Sequence, residues 1–279
     1  MSNPIFRAIG IYVNGQRDEG YRRTIDAIKF LRSRGMEPLL LGDGDTLKKG
    51  SLDLPVGAPG DVDCVVVLGG DGTLLNVAHM PKFYKIPLMG INFGNIGYLT
   101  DAPAEQANEA LARLLAGEYT LDKRIMLEAD LGKQRPTALN DAFVCYSGAM
   151  RILTIKVEIN GELMDSYRAD GILISTPTGS TAYNLSAGGP IIKPDMDILA
   201  VTPVCPHALH VRSAVISGSD VVTIHVLSEG GGTLFMDGLT KFDIPQNGHV
   251  HIRRASHYAT IIQTRKRGFY DVLREKLWA

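Results

Sequence analysis

The chain has 279 residues, 45% hydrophobic and 21% charged, a globular composition that excludes intrinsic disorder and suffices for one large or two modest domains. Its formal net charge of −1 supplies no electrostatic reason to bind nucleic acid or an anionic membrane. The amino terminus lacks a basic start followed by a long apolar stretch, and runs such as Cys64 to Leu68 fall far short of a bilayer span. Neither a secretory signal nor a membrane anchor is therefore expected.

In chain order, Ala8 to Val13 reads as a buried strand. Tyr21 to Arg34 reads as a helix with Ile25, Ile28, Phe30 and Leu31 at helical spacing, and Gly35 stops it. Glu37 to Leu41 reads as a second strand, and residues 42–61, rich in Gly, Pro and Asp, as loop. Cys64 to Leu68 is a third, fully buried strand that runs into Gly69-Gly70-Asp71-Gly72-Thr73, and Thr73 to Met80 opens a helix. Pro87 to Ile91 is a fourth strand, and Ala104 to Ala116 is a helix ended by Gly117. Strands alternating with helices predict a parallel sheet covered on both faces.

After about Leu121 the pattern turns to strands: Ile125 to Leu131, Thr137 to Tyr146, Ile152 to Ile159, Leu163 to Tyr167 and Gly171 to Ser175, with a hairpin turn at Asn160-Gly161. Val221 to Leu227, Thr233 to Met236, Val250 to Arg253 and Thr260 to Gln263 continue it, and Tyr270 to Leu277 is a last helix. The expected fold is an α/β, Rossmann-like domain with a parallel sheet over 1–121, then a β-rich, sandwich-like domain over 122–264. Residues 265–279 are expected to form a helix packing back on the first domain.

The loop after the third strand carries the chemistry. Glycines let a phosphate approach the main chain, and adjacent amides can point at the anion. In open α/β sheets, ligands gather at the carboxyl ends of strands, where this loop lies. Asp71 is out of place in a pure phosphate cradle. It makes sense as a general base toward an attacking hydroxyl, or as a holder of a divalent cation, and a tight turn with a solvated aspartate is the plainer alternative. GxxxxGK[ST] is absent and the loop is not GxGxxG, which argues against a Walker-type ATPase and an ordinary dehydrogenase.

A second polar cluster, RADGILISTPTGSTAYNLSAGGPII over 168–192, concentrates short hydroxyls and glycines that can bond phosphate, ribose and base edges or simply cap a helix. Together with GGDGT (Gly69 to Thr73), GINFGNIGYL (Gly90 to Leu99), LND (Leu139 to Asp141), PVCPH (Pro203 to His207) and Asp237-Gly238, it makes the chain closely resemble the NAD kinase family in its bacterial short form, from Ile9 to the carboxyl terminus. GGDGT alone would also be shared with lipid kinases; the STPTGSTAYNLSAGGP string is far more specific.

The resemblance implies phosphoryl transfer from ATP, or another donor such as polyphosphate, to the 2′-hydroxyl of the adenosine ribose of NAD, with Mg²⁺. It gives Asp71 the catalytic acidic position, with Gly72 beside it, and sets Tyr98 in place of the usual Phe near the adenine. Asn140 and Asp141 occupy the Asn-Glu pair that holds ribose hydroxyls, with an acid one methylene shorter. Arg168 and Asp170 match polar positions, Asp170 toward the nicotinamide end. Thr178, Thr181, Ala182, Tyr183, Asn184, Leu185 and Ser186 match the stretch lining adenine and ribose. Arg151 matches a variable polar contact and Cys205 an apolar one, while Leu239 stands where many members carry Gln. The resemblance also implies a homodimer or homotetramer that acts on small molecules rather than on nucleic acid or membrane. The alternatives are a kinase for another hydroxyl acceptor such as a lipid, and a non-catalytic NAD(P)-binding sensor.

Other features read as structural. Cys64, Cys145 and Cys205, widely spaced, read as free thiols of a reducing cytoplasm. Cys205-Pro206-His207 with His210 reads as a packed turn rather than a zinc site. His249 and His251 alternate along a strand and share a face, and Arg253-Arg254 and Arg265 to Arg267 read as solvated.

Overall fold

A computed structural model of the chain describes residues 5–42, 52–94, 97–148, 152–208, 210–265 and 268–277. It divides into two compact units, Met1–Lys123 with Ala259–Ala279, and Arg124–Tyr258.

The first unit contains, in order, β1 (Ile9–Val13), α1 (Arg22–Ser33), β2 (Leu39–Leu40), β3 (Cys64–Gly69), α2 (Asp71–His79), β4 (Leu88–Asn92), β5 (Ala102–Pro103) and α3 (Ala107–Leu115). The strands are parallel, in the order β2-β1-β3-β4, with Ile11 opposite Leu40 and Val66, and Val66 opposite Met89. All six residues of β3 are buried, as an uninterrupted apolar run between two helical layers requires. Helix α1 buries Thr24, Ala27, Ile28 and Leu31, one stripe at helical spacing. Asp18, just upstream, accepts the Thr24 amide at 2.8 Å and its hydroxyl at 2.6 Å, answering donors that the first turn cannot satisfy internally. At the other end Gly35 turns left-handed (φ 75°) and Met36 N–H bonds the Leu31 carbonyl, which stops the helix.

The second unit opens within β6 (Thr120–Asp130) and continues through β7 (Thr137–Ala138), β8 (Asp141–Tyr146), β9 (Leu153–Ile159), β10 (Glu162–Ala169), β11 (Gly171–Ser175) and the short helix α4 (Tyr183–Ser186). It then runs through β12 (Ile198–Val204), β13 (Ala214–Ser217), β14 (Val222–Val226), β15 (Gly232–Met236), β16 (Thr240–Ile244) and into β17 (His249–Gln263). One antiparallel sheet has the order β13-β12-β11-β8-β15-β16, and the other runs β10-β9-β14-β17. Ala142, Val144, Ile172, Ile174 and Leu234 from the first sheet, and Ile155, Val157, Ile224 and Ile252 from the second, form one buried cluster, so the unit is a sandwich. The chain then rejoins the first unit, where Ile261 of β17 pairs parallel to Leu88 of β4. Helix α5 (Phe269–Leu277) closes that unit with Leu273 buried.

The parallel-sheet domain and the β-rich sandwich are both present, as the sequence patterns predict. Several local readings need correction. Thr137 to Tyr146 is broken at Leu139-Asn140, because those amides bond a side chain, Asp237, instead of a neighbouring strand. The last two predicted strands are one, β17, because sheet partners hold the alanine-rich middle that propensity alone disfavours. Strand β12 ends in Thr-Pro-Val, a pattern Pro203 hides. Pro203 lies beyond the Ile198–Val201 stretch paired with β13, so its missing N–H costs no bond on that side. Strands β13 and β16 also go unread in the sequence. Helix α2 begins at Asp71, two residues before the expected start.

Candidate functional site

In the first unit, β3 ends at Gly69, Gly70 caps α2 in an extended conformation, and Asp71 is the first helical residue. At that position the amides of Asp71 and Gly72 have no preceding turn to bond, so they form a positive, donor-rich end. The loop is held from both sides. Phe93 N–H bonds the Gly69 carbonyl at 2.7 Å, and Asn14 Nδ2 bonds Thr73 Oγ1 at 3.1 Å. A Cβ on Gly69 would lie 2.4 Å from Thr73 Oγ1, so that glycine is needed for packing, whereas one on Gly72 would meet nothing within 4 Å. Gly72 therefore leaves an open approach to the backbone, the property a phosphate contact needs.

The Asp71 carboxylate does not float in solvent. Oδ2 accepts the Tyr98 amide at 2.7 Å, and Oδ1 accepts those of Leu99 at 3.2 Å and Thr100 at 3.1 Å. The turn that presents these amides is itself fixed by Thr100 Oγ1, which accepts from Gly97 N–H at 3.0 Å and Asn92 Nδ2 at 3.2 Å. A Cβ on Gly97 would stand 1.9 Å from Asp71 Oδ1, so only glycine admits the carboxylate there. A carboxylate has about four acceptor positions; described residues engage three of them. Tyr98 thus meets Asp71 through its backbone, and its buried hydroxyl has no hydrogen-bond partner among the described residues. Burial first, and the Asp71 charge second, raise its pKa.

In the second unit, Asp141 starts β8, and alternation places Asp141, Phe143 and Cys145 on the face opposite the core residues Ala142 and Val144. The loop after β11 is tied to the strand break. Thr176 N–H bonds the Asn140 carbonyl at 2.9 Å, Thr176 Oγ1 bonds the Leu139 carbonyl at 2.6 Å, and Gly179 N–H bonds Thr176 Oγ1 at 3.1 Å. A Cβ on Gly179 would be 2.1 Å from the Asn140 carbonyl oxygen, which explains a glycine within the hydroxyl-rich string. Asp141 is 7% exposed, and its carboxyl accepts no hydrogen bond from a described residue. Burial, and then the charge of Asp237, push it up to about 7.

Tyr183 packs edge-on against Phe143 with ring centroids 5.3 Å apart, which puts α4 beside the face of β8. Its pKa is raised, first by burial, then by Cys205, Asp170, Cys145 and Asp141, so the predicted Cys205, Asp170 and Asp141 share one neighbourhood with it. Arg168 and Asp170 line a cleft of about 720 Å³ together with Phe143, Cys145, Tyr146 and Ile152. The last four went unread as site residues in the sequence; for Phe143 and Cys145 the signal is the period-two alternation of β8 from Asp141 onward. Thr178 is buried and accepts from Arg124 at 3.3 Å, and Thr181 is half-buried. Ala182 and Leu185 are half-buried, and Ser186 and Cys205 are exposed. The side chain of Asn184 is fully buried; it donates to the Pro190 carbonyl at 3.0 Å and accepts from Thr202 at 2.7 Å, which ties α4 to β12. Arg151 lies outside the described residues.

The features set aside also find their places. His249 and His251 are exposed on one face with rings 4.9 Å apart, and His251 Nδ1 lies 2.9 Å from Thr223 Oγ1. The basic pairs are less free than a solvated reading implies. Arg253 pairs with Glu128 at 2.8 Å, Arg254 with Asp197 at 2.5 Å, and Arg265 bonds the Asp101 carbonyl. Cys64, Cys145 and Cys205 are free. Among the described residues no group of three or more His, Cys, Asp or Glu converges as a metal site, and no helix is long and apolar enough to cross a membrane.

Family models for the ATP-NAD kinase N-terminal domain and the ATP-NAD kinase C-terminal domain match residues 46–119 and 139–264. An NAD kinase of Lachnoclostridium phytofermentans is 34% identical over 278 residues, covering 95% of this chain and 97% of the relative. One of Thiobacillus denitrificans is 36% identical over 282 residues, covering 98% and 97%. Among solved structures, yeast NADH kinase complexed with NADH superimposes with a TM-score of 0.83 at 22% identity, covering 99% of this chain and 88% of that one. An NAD kinase from Archaeoglobus fulgidus in complex with ATP gives 0.78 at 22% identity, covering 95% and 97%. At that identity the two structures speak for the fold.

Proposed function

The chain belongs to the NAD kinase family, and on that premise we propose that it transfers the terminal phosphate of ATP to the 2′-hydroxyl of the adenosine ribose of NAD, giving NADP. The observation that carries the mechanism is the carboxylate of Asp71, pinned by three amides at the start of α2 beside the open backbone of Gly72. Asp71 takes the proton of the 2′-hydroxyl as its oxygen bonds the transferring phosphorus and the bond to the departing ADP breaks. The first-turn amides of α2 face the donor phosphates. Little covalent chemistry is asked of the protein, since positioning and charge neutralisation carry phosphoryl transfer.

Asn140 and Asp141 hold ribose hydroxyls, and Tyr98 lies toward the adenine. Thr178, Thr181, Ala182, Tyr183, Leu185 and Ser186 line adenine and ribose, Asn184 holds that stretch in shape, and Cys205 adds an apolar contact. Arg168 and Asp170 take the nicotinamide end, a role that the cleft lined by Phe143 and Tyr146 supports. Arg151 is a further polar contact. The donor set fits a divalent cation carried by the donor phosphates rather than a protein cage, because Mg²⁺ retains waters and few carboxylates. When bound, Mg²⁺ offsets the charge of the transferring group. Three free thiols support a cytoplasmic location, and the family resemblance supports a homodimer or homotetramer.

The deciding assay incubates the pure protein with NAD, Mg²⁺ and ATP and measures NADP, with polyphosphate replacing ATP in a parallel arm. Intact NAD binding without product identifies a sensor instead, and phosphorylation of diacylglycerol identifies a lipid kinase. The Asp71 pocket makes a sharper prediction. In Gly97→Ala the new methyl must displace the carboxylate, and a misplacement near 1 Å costs on the order of 10²-fold in kcat. An unchanged kcat in that variant removes the pinned geometry from the mechanism.

A further inference from the structure

The Asp237-Gly238 turn after β15 has no part in the chemistry above, yet it is built into the acceptor end of the second unit. Asp237 adopts a left-handed conformation (φ 53°), which a non-glycine residue takes up only when its surroundings hold it there. Its carboxylate accepts three consecutive amides: Leu139 at 2.7 Å through Oδ2, and Asn140 at 2.8 Å and Asp141 at 2.9 Å through Oδ1. Its own amide returns a bond to the Asp141 carbonyl at 2.9 Å. Bonds of an ionised carboxylate to amides are about twice as strong as neutral ones. This clamp is what interrupts the strand at 139–140, so that the regular ladder of β8 begins only at Asp141.

We propose that Asp237 is the positioning residue for the NAD contact: its carboxylate sets the backbone of Asn140 and Asp141. The proposal rests on the kinase reading for the identity of the ligand. Two independent features support it. Asp141 is 7% exposed and no described residue is seen to donate to its carboxyl, which leaves that group available to a ligand hydroxyl. The charged or titratable groups facing it are Asp237, from the turn after β15, and Tyr183, from α4. Of these, Asp237 disfavours its ionisation.

The test uses the full chain as Asp237→Asn and Asp237→Gly, two residues that tolerate the left-handed backbone. NAD binding is followed by calorimetry from pH 5.5 to 8.5, with the KM values for NAD and ATP alongside. Loss of the charged clamp should weaken NAD about tenfold or more and leave the KM for ATP within about twofold. In Asp237→Asn the pH midpoint of NAD affinity should move to lower pH than in the unaltered protein, because a like charge has gone. A merely structural residue would not move that midpoint. NAD affinity within about twofold of the unaltered protein, an unmoved midpoint, or both variants unfolding would each overturn the inference. An unaltered protein that forms no NADP overturns the kinase reading instead, and the binding arm still decides the role of Asp237.

Discussion

Replacing Asp71 by asparagine is expected to lower kcat for NADP formation at least about 10²-fold, the range that loss of a positioned general base produces. The structure adds a second cost. Both carboxylate oxygens accept amides, from Tyr98 on one side and from Leu99 and Thr100 on the other. Asparagine presents one oxygen and one NH₂ group, so on one side a donor must face a donor. A group left unsatisfied in this way costs about 1–3 kcal/mol. The variant should therefore also melt lower, and the turn at 97–100 should lose amide protection. The two effects separate in the kinetics: with saturating NAD and ATP, loss of the base acts on kcat, whereas loosening of the turn also raises KM. A kcat within about threefold of the unaltered protein would remove Asp71 from the base role and leave it a clamp.

Replacing Asp141 by asparagine should stabilise the protein at pH 8 and scarcely change it near pH 4. Burial first, and Asp237 second, raise this carboxyl from its ordinary 3.8 to about 7 in the folded chain. Between those values the folded state holds a proton that the unfolded state releases. The group's contribution is therefore most favourable below the unfolded value and is lost as pH rises through the folded one. Above pH 7 a charge is forced into a buried position, which costs at most about 4 kcal/mol. Asparagine keeps the size and carries no charge, so the cost disappears. Urea unfolding at pH 4.5 and pH 8 measures the difference, and equal stabilities of the two proteins at pH 8 would contradict it. The same variant should bind NAD more weakly at pH 8, because an ionised acceptor for a ribose hydroxyl is gone. A residue that costs stability while serving the ligand is what a functional position looks like energetically.

The buried run at 64–69, the glycines after it and the stripe of α1 follow from side-chain chemistry within short windows, and they were legible for that reason. Asp71 stood out because its charge contradicts a phosphate cradle, and the hydroxyl string at 175–186 stood out by composition. The partners of these residues were not legible. Nothing near Asp71 in the chain announces that residues 98–100 hold it, and nothing near Asn140 announces Asp237, 97 residues away. Phe143, Cys145 and Tyr146 look like ordinary strand residues until the register with β11 and β15 decides which face each side chain takes.

By itself the amino-acid sequence determined the two kinds of architecture, the glycine-rich loop and the family, because periodicity and motif are local properties carried by consecutive residues. The tertiary structure alone decided the state of the chemistry. It pinned the Asp71 carboxylate with three amides, pushed the Asp141 carboxyl up to about 7, and turned Asp237 from a motif into a clamp. Charge, burial and hydrogen bonding at a side chain depend on atoms brought together from distant parts of the chain, and only folding supplies them.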